Sequence, residues 1–423
     1  MRLSQHKGPV LERAGLRKSL RLATCVALLI PAVLAATSGG VANAAITATV
    51  VEFNPSLGTL TVTAQAGRTN FITVSQRQGQ LVVDDLAGVS AAPPCIQLRQ
   101  DAVGCPVKGI RSVVVDAGDL SDVVRFNAAG QGDVLTATIH GGAGDDLLVL
   151  DQLATSGKLF GGPGSDELRG GKGDDLLSGG AGADDLQGAD GADLADYAER
   201  DIRVLVRIDD LPNDGTSGEG DNVHTDVENL SGGSSDDALE GSSRNNTLDG
   251  GPGRDSLVGG DGNDSLAGGQ GEDFLDGGQN SDNLFGGDGN DRLEGGPDRG
   301  SDFFDGGDGE DIASYLGRVD DILADNDGEF DDGSGLDGEL DNVRPSVESI
   351  FGGEGNDRLS VAAPDSALVR NILRGAGGND RLIVEDNGLH DIADGGPGAN
   401  SCFVDTGEET VNCQLIVSSL RRP

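Results

Sequence analysis

A nine-residue period runs through the middle of this chain. Units begin at Gly232, Gly241, Gly250, Gly259, Gly268, Gly277, Gly286, Gly295 and Gly306, after a shorter run at Gly141, Gly161, Gly170, Gly179 and, in worn form, Gly188. Isolated units follow at Gly352, Gly375 and Gly395, and an eroded one, DAGDLSDVV, places Asp122 at its sixth position. A fixed period dictates architecture before local propensity does. In GGDGNDSLA, from Gly259, six turn-forming residues precede a three-residue strand too short to stand alone. Its apolar eighth residue, Leu266, points to one side, and only stacked units bury such residues as a continuous ridge. The expected fold is mainly β: a solenoid of short parallel strands.

The sixth residue of most units is an aspartate, and stacking puts one carboxylate above another. Such a file must be neutralised or come apart. A hard divalent cation resolves the conflict: calcium accepts about 6 to 8 oxygen ligands in flexible geometry, and glycine-rich turns can supply backbone carbonyls beside the aspartates. Magnesium demands a tighter octahedron and keeps its waters. Softer metals are disfavoured, because the repeats carry no cysteine before the last unit and almost no histidine. The competing reading, an acidic glycine-rich linker, gives no reason for leucine at every eighth position.

GGPGRDSLV, GGDGNDSLA and GGDGNDRLE resemble the RTX, or haemolysin-type, calcium-binding nonapeptide GGxGxDxUx. The resemblance implies a parallel β-roll in which two nonapeptides make one coil and calcium lies between turns on the same side. Each unit would then pair with the unit eighteen residues along, so that Asp255 shares an ion with Asp273, Asp264 with Asp282, and Asp273 with Asp291. Carried over unit by unit, the sixth-position ligands are Asp146, Asp166, Asp175, Asp184, Asp193, Asp237, Asp255, Asp264, Asp273, Asp282, Asp291, Asp302, Asp311, Asp357 and Asp380. Carbonyls would come from second- and fourth-position glycines: Gly251, Gly253, Gly260, Gly262, Gly269, Gly271, Gly287 and Gly289.

Some units depart from the pattern. Asn246 stands where Asp is expected, and Asn280 replaces a glycine, which asparagine tolerates because it visits the left-handed region. Two extra residues in GGPDRGSDFFD shift Asp302 and put its site in doubt. In the last unit Asn400 replaces Asp and Cys402 takes the apolar position, which reads as a terminal cap closed by a disulfide to Cys413.

The rest of the chain sets the context. Arg13, Arg17, Lys18 and Arg21 precede an apolar run from Leu22 to Ala36 and a small-residue site, Ala42-Asn43-Ala44, so residues 1–44 read as a signal peptide. The run is too short to span a membrane, which takes about 20 apolar residues. Export predicts a secreted, extracellular protein with no membrane span after the leader is removed. Residues 1–44 hold six of the 30 Lys and Arg and one of the 72 Asp and Glu, which leaves 24 basic and 71 acidic residues. That balance repels nucleic acid and attracts cations.

Four cysteines then remain, an even number that favours two disulfides outside the cell. Proximity favours Cys95 with Cys105 and Cys402 with Cys413, although three pairings are formally open. A zinc site fits poorly, since no histidine lies at ligand spacing.

Residues 45–135 read as an N-terminal β module and solenoid entry, from the alternation in ITATVVEF, LGTLTVTA and NFITVS. Residues 136–231 form the first repeat block with an excursion at 195–231, and residues 232–351 the second with an excursion at 315–351. Residues 352–423 hold the final repeats and the cap. The excursions align at an offset of 120 residues, Asn222 with Asn342, Val223 with Val343 and Glu228 with Glu348, and contain the only two tyrosines, Tyr197 and Tyr315. They read as longer loops or hairpins projecting from the solenoid, with tyrosines packing back onto it.

No HExxH surrounds His140, His224 or His390, and no GxSxG elbow occurs. Asp405-Thr406-Gly407 spells the DTG of aspartic proteases once, inside a disulfide loop. Asp210, Asp214, Gly215 and Asp221 touch a calcium-loop register that Pro212 breaks, and read as an acidic loop. Asp320-Asp321 and Asp331-Asp332 read as solvated pairs. The expectation is a non-enzymatic calcium-binding repeat protein with a structural, adhesive or matrix role and an unidentified protein or matrix partner. The alternative is an exported enzyme or toxin with catalytic residues hidden in its N-terminal region.

Overall fold

The computed structural model describes residues 48–128, 135–151, 156–334, 339–361, 370–384, 391–405 and 408–419. The expected leader, His390 and the Thr406-Gly407 step lie outside them. The described residues contain strands and no helix, wound into a parallel β-solenoid of about 14 turns. Ile46–Pro423 form one compact unit.

Each coil contributes one strand to each of two opposing sheets, and strands two units apart pair in parallel. Ser265–Gln270 pairs with Thr247–Pro252 and Asn283–Asp288, while Phe274–Gln279 pairs with Ser256–Asp261 and Arg292–Glu294. The register places Leu248, Leu266 and Leu284 side by side in one sheet, and Leu257, Leu275 and Leu293 in the other. All six leucines are buried. Side chains of a strand alternate between faces, so the eighth residue alone fills the narrow interior.

The N-terminal strands continue the two walls of the first repeat block, the 14-stranded sheet that also holds Ser265–Gln270 and a separate 9-stranded sheet. Thr49–Asn54 pairs antiparallel with Thr59–Thr63, which pairs in parallel with Ser112–Asp119. Phe71–Arg77 pairs antiparallel with Gln80–Asp85 and in parallel with Val123–Asn127. Antiparallel hairpins thus cover the open edges of both sheets at this end, where bare edges would invite pairing with other chains. The Cys95–Cys105 disulfide fastens this cover, and Cys402–Cys413 fastens the other end.

The excursions do not project as free hairpins. Val204–Arg207 pairs antiparallel with Gly215–Thr216 and in parallel with Ala238–Glu240, opening an 11-stranded sheet, while Asn222–Val223 closes a 9-stranded one against Asp185–Gln187. The second excursion repeats the operation: Ile322–Asp325 pairs with Gly333–Ser334 to open a 6-stranded sheet, and Asn342–Val343 closes the 14-stranded one. Each excursion is a splice at which one wall of the solenoid ends and another begins. Tyr197 and Tyr315 are buried in these splices, as their sequence context suggested.

Candidate metal centre

The sixth-position side chains form files along the solenoid, one at each turn edge. In the uninterrupted run, the main-chain N–H of Asp255 donates to Oδ1 of Asp273 at 2.7 Å, and that of Asp273 to Oδ1 of Asp291 at 2.8 Å. On the opposite edge Asp264 donates in the same way to Asp282 at 2.7 Å, and Asp282 to Asp302 at 2.9 Å. The eighteen-residue neighbours expected from the repeat are therefore in contact. Asp302 is back in its file at a separation of 20 residues, so the two extra residues are absorbed in the turn and do not break the stack.

Every expected aspartate lies in such a file. Asn70, Asp122, Asp146, Asp166, Asp184 and Asp221 form one; Asp175, Asp193 and Glu228 form part of a second. Val204 donates to Asp237 and Asp237 to Asp255, which joins the central run ending at Asp311 and Glu348. Asp357 and Asp380 continue to Asn400 and Gln414. Asp302 donates in turn to Asp341, Asn371 to Asp391 and Asp391 to Glu408, and none of Asp221, Asp341, Glu228, Glu348, Asp391, Glu408 and Gln414 was assigned to the files from the sequence. They fall outside clear nonapeptides, and only the parallel alignment of the two excursions pointed at Glu228 and Glu348.

One carboxylate oxygen of each pair is thereby satisfied, and the other decides the chemistry. Oδ2 of Asp146, Asp166, Asp184, Asp193, Asp255, Asp264, Asp273, Asp282, Asp291, Asp311 and Asp380 is buried without a hydrogen-bond partner. A β-carbon on Gly268 would lie 2.5 Å from Oδ2 of Asp273 and 2.6 Å from the carbonyl oxygen of Gly286. Gly250 repeats the arrangement, with 2.6 Å to Asp255 Oδ2 and 2.7 Å to the Gly268 carbonyl. Two oxygens thus press on a space that only glycine leaves open. Asn400, at a sixth position, has a donor where the aspartates have an oxygen. Its amide nitrogen, in the place of Oδ2, donates to the carbonyls of Gly396 at 3.0 Å and Asn412 at 3.2 Å. Where the residue is Asp, an oxygen stands in place of that donor and has no hydrogen-bond partner.

The second- and fourth-position glycines Gly251, Gly253, Gly260, Gly262, Gly269, Gly271, Gly287 and Gly289 all adopt positive φ. The carbonyls of Gly251, Gly253, Gly269 and Gly271 point at the α-carbons of the glycines stacked on them, so that added β-carbons at Gly269, Gly271, Gly287 and Gly289 would collide with them. Asn280 substitutes for glycine at φ +76°, as its side chain permits. Among the described residues no three His, Cys, Asp or Glu side chains converge as a metal cage. A site here must combine carboxylates with backbone carbonyls, the hard-oxygen set that suits calcium.

Four units differ. The N–H of the second residue turns inward and caps the acid: Gly171 on Asp175 at 2.6 Å, Gly233 on Asp237 at 2.6 Å, Gly353 on Asp357 at 2.8 Å, and Ser242 on Asn246 at 2.7 Å. In these turns the second oxygen already has its donor.

Burial, only partly offset by the N–H bond, pushes Asp264 and Asp273 up to about 6 and Asp166, Asp193, Asp255, Asp282, Asp302 and Asp311 up to about 7. The expected solvation of Asp332 is wrong. It is buried, accepts N–H bonds from Asp325 and Val343, and is driven by burial up to about 8. Asp214 is likewise buried, with N–H bonds from Arg207 and Val223. The Pro212 loop is thus anchored from beneath. His224 bonds Asp185 at 2.7 Å and Asp210 at 3.2 Å, and His140 stacks on Phe160 with ring centroids 4.9 Å apart.

A family model described as the RTX calcium-binding nonapeptide repeat (4 copies) matches residues 138–152, 160–195, 231–266, 267–299 and 348–362. No curated protein matches the chain.

Proposed function

From a chain that carries RTX calcium-binding nonapeptide repeats, we propose a secreted, non-enzymatic calcium-binding protein whose roll folds on ions taken up outside the cell and serves a structural, adhesive or matrix role. The observation that carries the calcium reading is the row of buried, partnerless Oδ2 atoms near carbonyl oxygens, set against Asn400, whose amide nitrogen at the sixth position finds two carbonyl acceptors. The residues that would hold calcium are Asp146, Asp166, Asp184, Asp193, Asp255, Asp264, Asp273, Asp282, Asp291, Asp302, Asp311 and Asp380, with carbonyls of second- and fourth-position glycines. Bound there, calcium supplies positive charge to oxygens that otherwise repel one another.

The chain's own residues do the rest. The stacked leucines fix the coil spacing, and Oδ1 holds the neighbouring main chain. The capped turns at Asp175, Asp237 and Asp357 would contribute weaker sites or none.

Secretion is supported by two disulfides and by the charged and apolar order of residues 1–44. A non-catalytic role is supported by the use of the N-terminal strands to continue and cover the solenoid sheets. Equilibrium dialysis of the mature chain tests the central claim: several ions per molecule are expected, with preference over magnesium. Fewer than two at millimolar calcium would overturn it.

A further inference from the structure

We propose that Arg200 and Arg318 are resident cations that stand in for calcium at the two splices, so that these parts of the roll stay folded when calcium is withdrawn. The proposal rests on the calcium reading above and concerns where that dependence stops.

Arg200 donates to the carbonyl of Gly180, the second residue of the Gly179 unit, and to Oε1 of Glu219 at 3.0 Å. The fourth residue of the same unit, Gly182, donates its N–H to that Glu219 oxygen at 3.0 Å. The guanidinium thus touches a carbonyl of the class that would hold calcium in regular turns. Asp184, the acid of this unit, donates its main-chain N–H to Asp221 at 3.0 Å and keeps its own Oδ2 partnerless, so the guanidinium serves the splice side of this turn; Asp221 is held by the Tyr197 hydroxyl at 3.1 Å. A β-carbon on Gly215 would lie 2.6 Å from Asp221 Oδ2 and 3.0 Å from Glu219 Oε2, so both carboxylates border one small space.

The second splice holds the same residue types, with the guanidinium bonded to its carboxylate alone. Arg318 makes two bonds to Glu339, at 2.9 and 2.7 Å, with side chains only 4% and 0% exposed. Asp341 receives the N–H of Asp302 at 2.8 Å, and a β-carbon on Gly333 would meet Glu339 and Asp341 Oδ2 together. Tyr315 lies buried in the place of Tyr197.

Contrast the run from residue 250 to 294. Its arginines, Arg254 and Arg292, pair with Glu272 and Glu294 on the outer surface and bond neither a turn carbonyl nor a fully buried carboxylate. A guanidinium keeps its charge at any physiological pH, carries five fixed donors and is covalently tethered, so chelation cannot remove it. Removing it from its buried partner strands that carboxylate, at a cost far above that of breaking a surface pair.

Hydrogen exchange of the full chain, read by mass spectrometry in calcium and in EGTA, tests the assignment. Wild-type residues 197–231, 315–334 and 339–351 should exchange at least about tenfold more slowly in EGTA than residues 250–294. Arg318→Gln should lose that protection around the second splice in EGTA and regain it at millimolar calcium, when an ion can sit with Glu339 and Asp341. Arg318→Lys should keep most of it. Wild-type splices exchanging as fast as residues 250–294 in EGTA would overturn the proposal whether or not Arg318→Gln folds, as would full protection of Arg318→Gln in EGTA. Calcium that leaves residues 250–294 unprotected would overturn the calcium reading and this proposal with it, so the two failures are distinguishable.

Discussion

Replacing Asp273 by Asn should stabilise the calcium-free roll while removing a calcium site. Asp273 Oδ1 accepts the N–H of Asp255 at 2.7 Å, and an asparagine oxygen can keep that bond. Oδ2 is buried without a partner beside the Gly286 carbonyl, and an amide nitrogen there can donate as Asn400 does. The carboxylate's penalty is visible in its pKa, pushed by burial from the ordinary 3.8 up to about 6. That displacement corresponds to about 3 kcal/mol at full strength, and discounting for solvent screening leaves about 1 to 2 kcal/mol at pH 7.5. A gained hydrogen bond adds about 1 kcal/mol. The assay is folding in EGTA driven by trimethylamine N-oxide, which strengthens burial, followed by far-ultraviolet circular dichroism. Asp273→Asn should fold at lower osmolyte than wild type, yet gain less stability from saturating calcium and bind fewer ions. A variant needing more osmolyte than wild type, with an unchanged calcium response, would refute the reasoning.

Acid should partly replace calcium. Asp166, Asp193, Asp255, Asp282 and Asp311 sit at about 7 in the fold against an ordinary 3.8, so the folded state binds more protons between those values. Stability without calcium therefore falls as pH rises from about 4 to 7, and β signal in EGTA should increase on going from pH 8 to pH 5. Asp273→Ala should shift the calcium midpoint of folding more than Asp237→Ala, because Asp237 is capped by Gly233; equal midpoints would remove the distinction between open and capped turns. Gly268→Ala should abolish one site, read as fewer ions by dialysis, since its β-carbon falls between Asp273 Oδ2 and the Gly286 carbonyl. Leu275→Ala should cost about 2 to 5 kcal/mol in calcium by urea unfolding, since the buried leucine row has no slack to close the cavity.

The periodic part of the fold was legible because period and packing coincide. Leu266 at the eighth position and Asp264 at the sixth repeat at a fixed spacing, and the spacing alone puts one inside and the other at the turn. Position within a unit could not reveal Asp332, Glu408 or Gln414, whose neighbours obey no nine-residue rule. Asp331-Asp332 reads as a solvated pair in one dimension, yet the bridge between Asp332 and Asp341 folds the second acid beneath its own hairpin. The place of Asp302 was hidden for a related reason: two inserted residues change the count along the chain, but strand pairing restores the register at Phe303 with Asn283.

The distinction between open and capped turns was illegible for a deeper reason. Gly170-Gly171 and Gly268-Gly269 are written with the same letters, yet Gly269 adopts φ +109° and Gly171 stays out of the left-handed region. Glycine is at ease in both, so its identity leaves the choice to the coil beneath. Gly269 stacks on the Gly251 carbonyl of a regular unit. Gly233 and Gly353 instead stack on the carbonyls of Arg200 and Arg318, which belong to the splices. There the second residue turns its N–H inward and satisfies its own acid. Regular neighbours therefore keep the second carboxylate oxygen free for a cation, and irregular neighbours quench it. By this logic the splices set more than the handover between sheets. They define where a run of calcium sites can begin, and the repeats just after each excursion should be the least dependent on the ion.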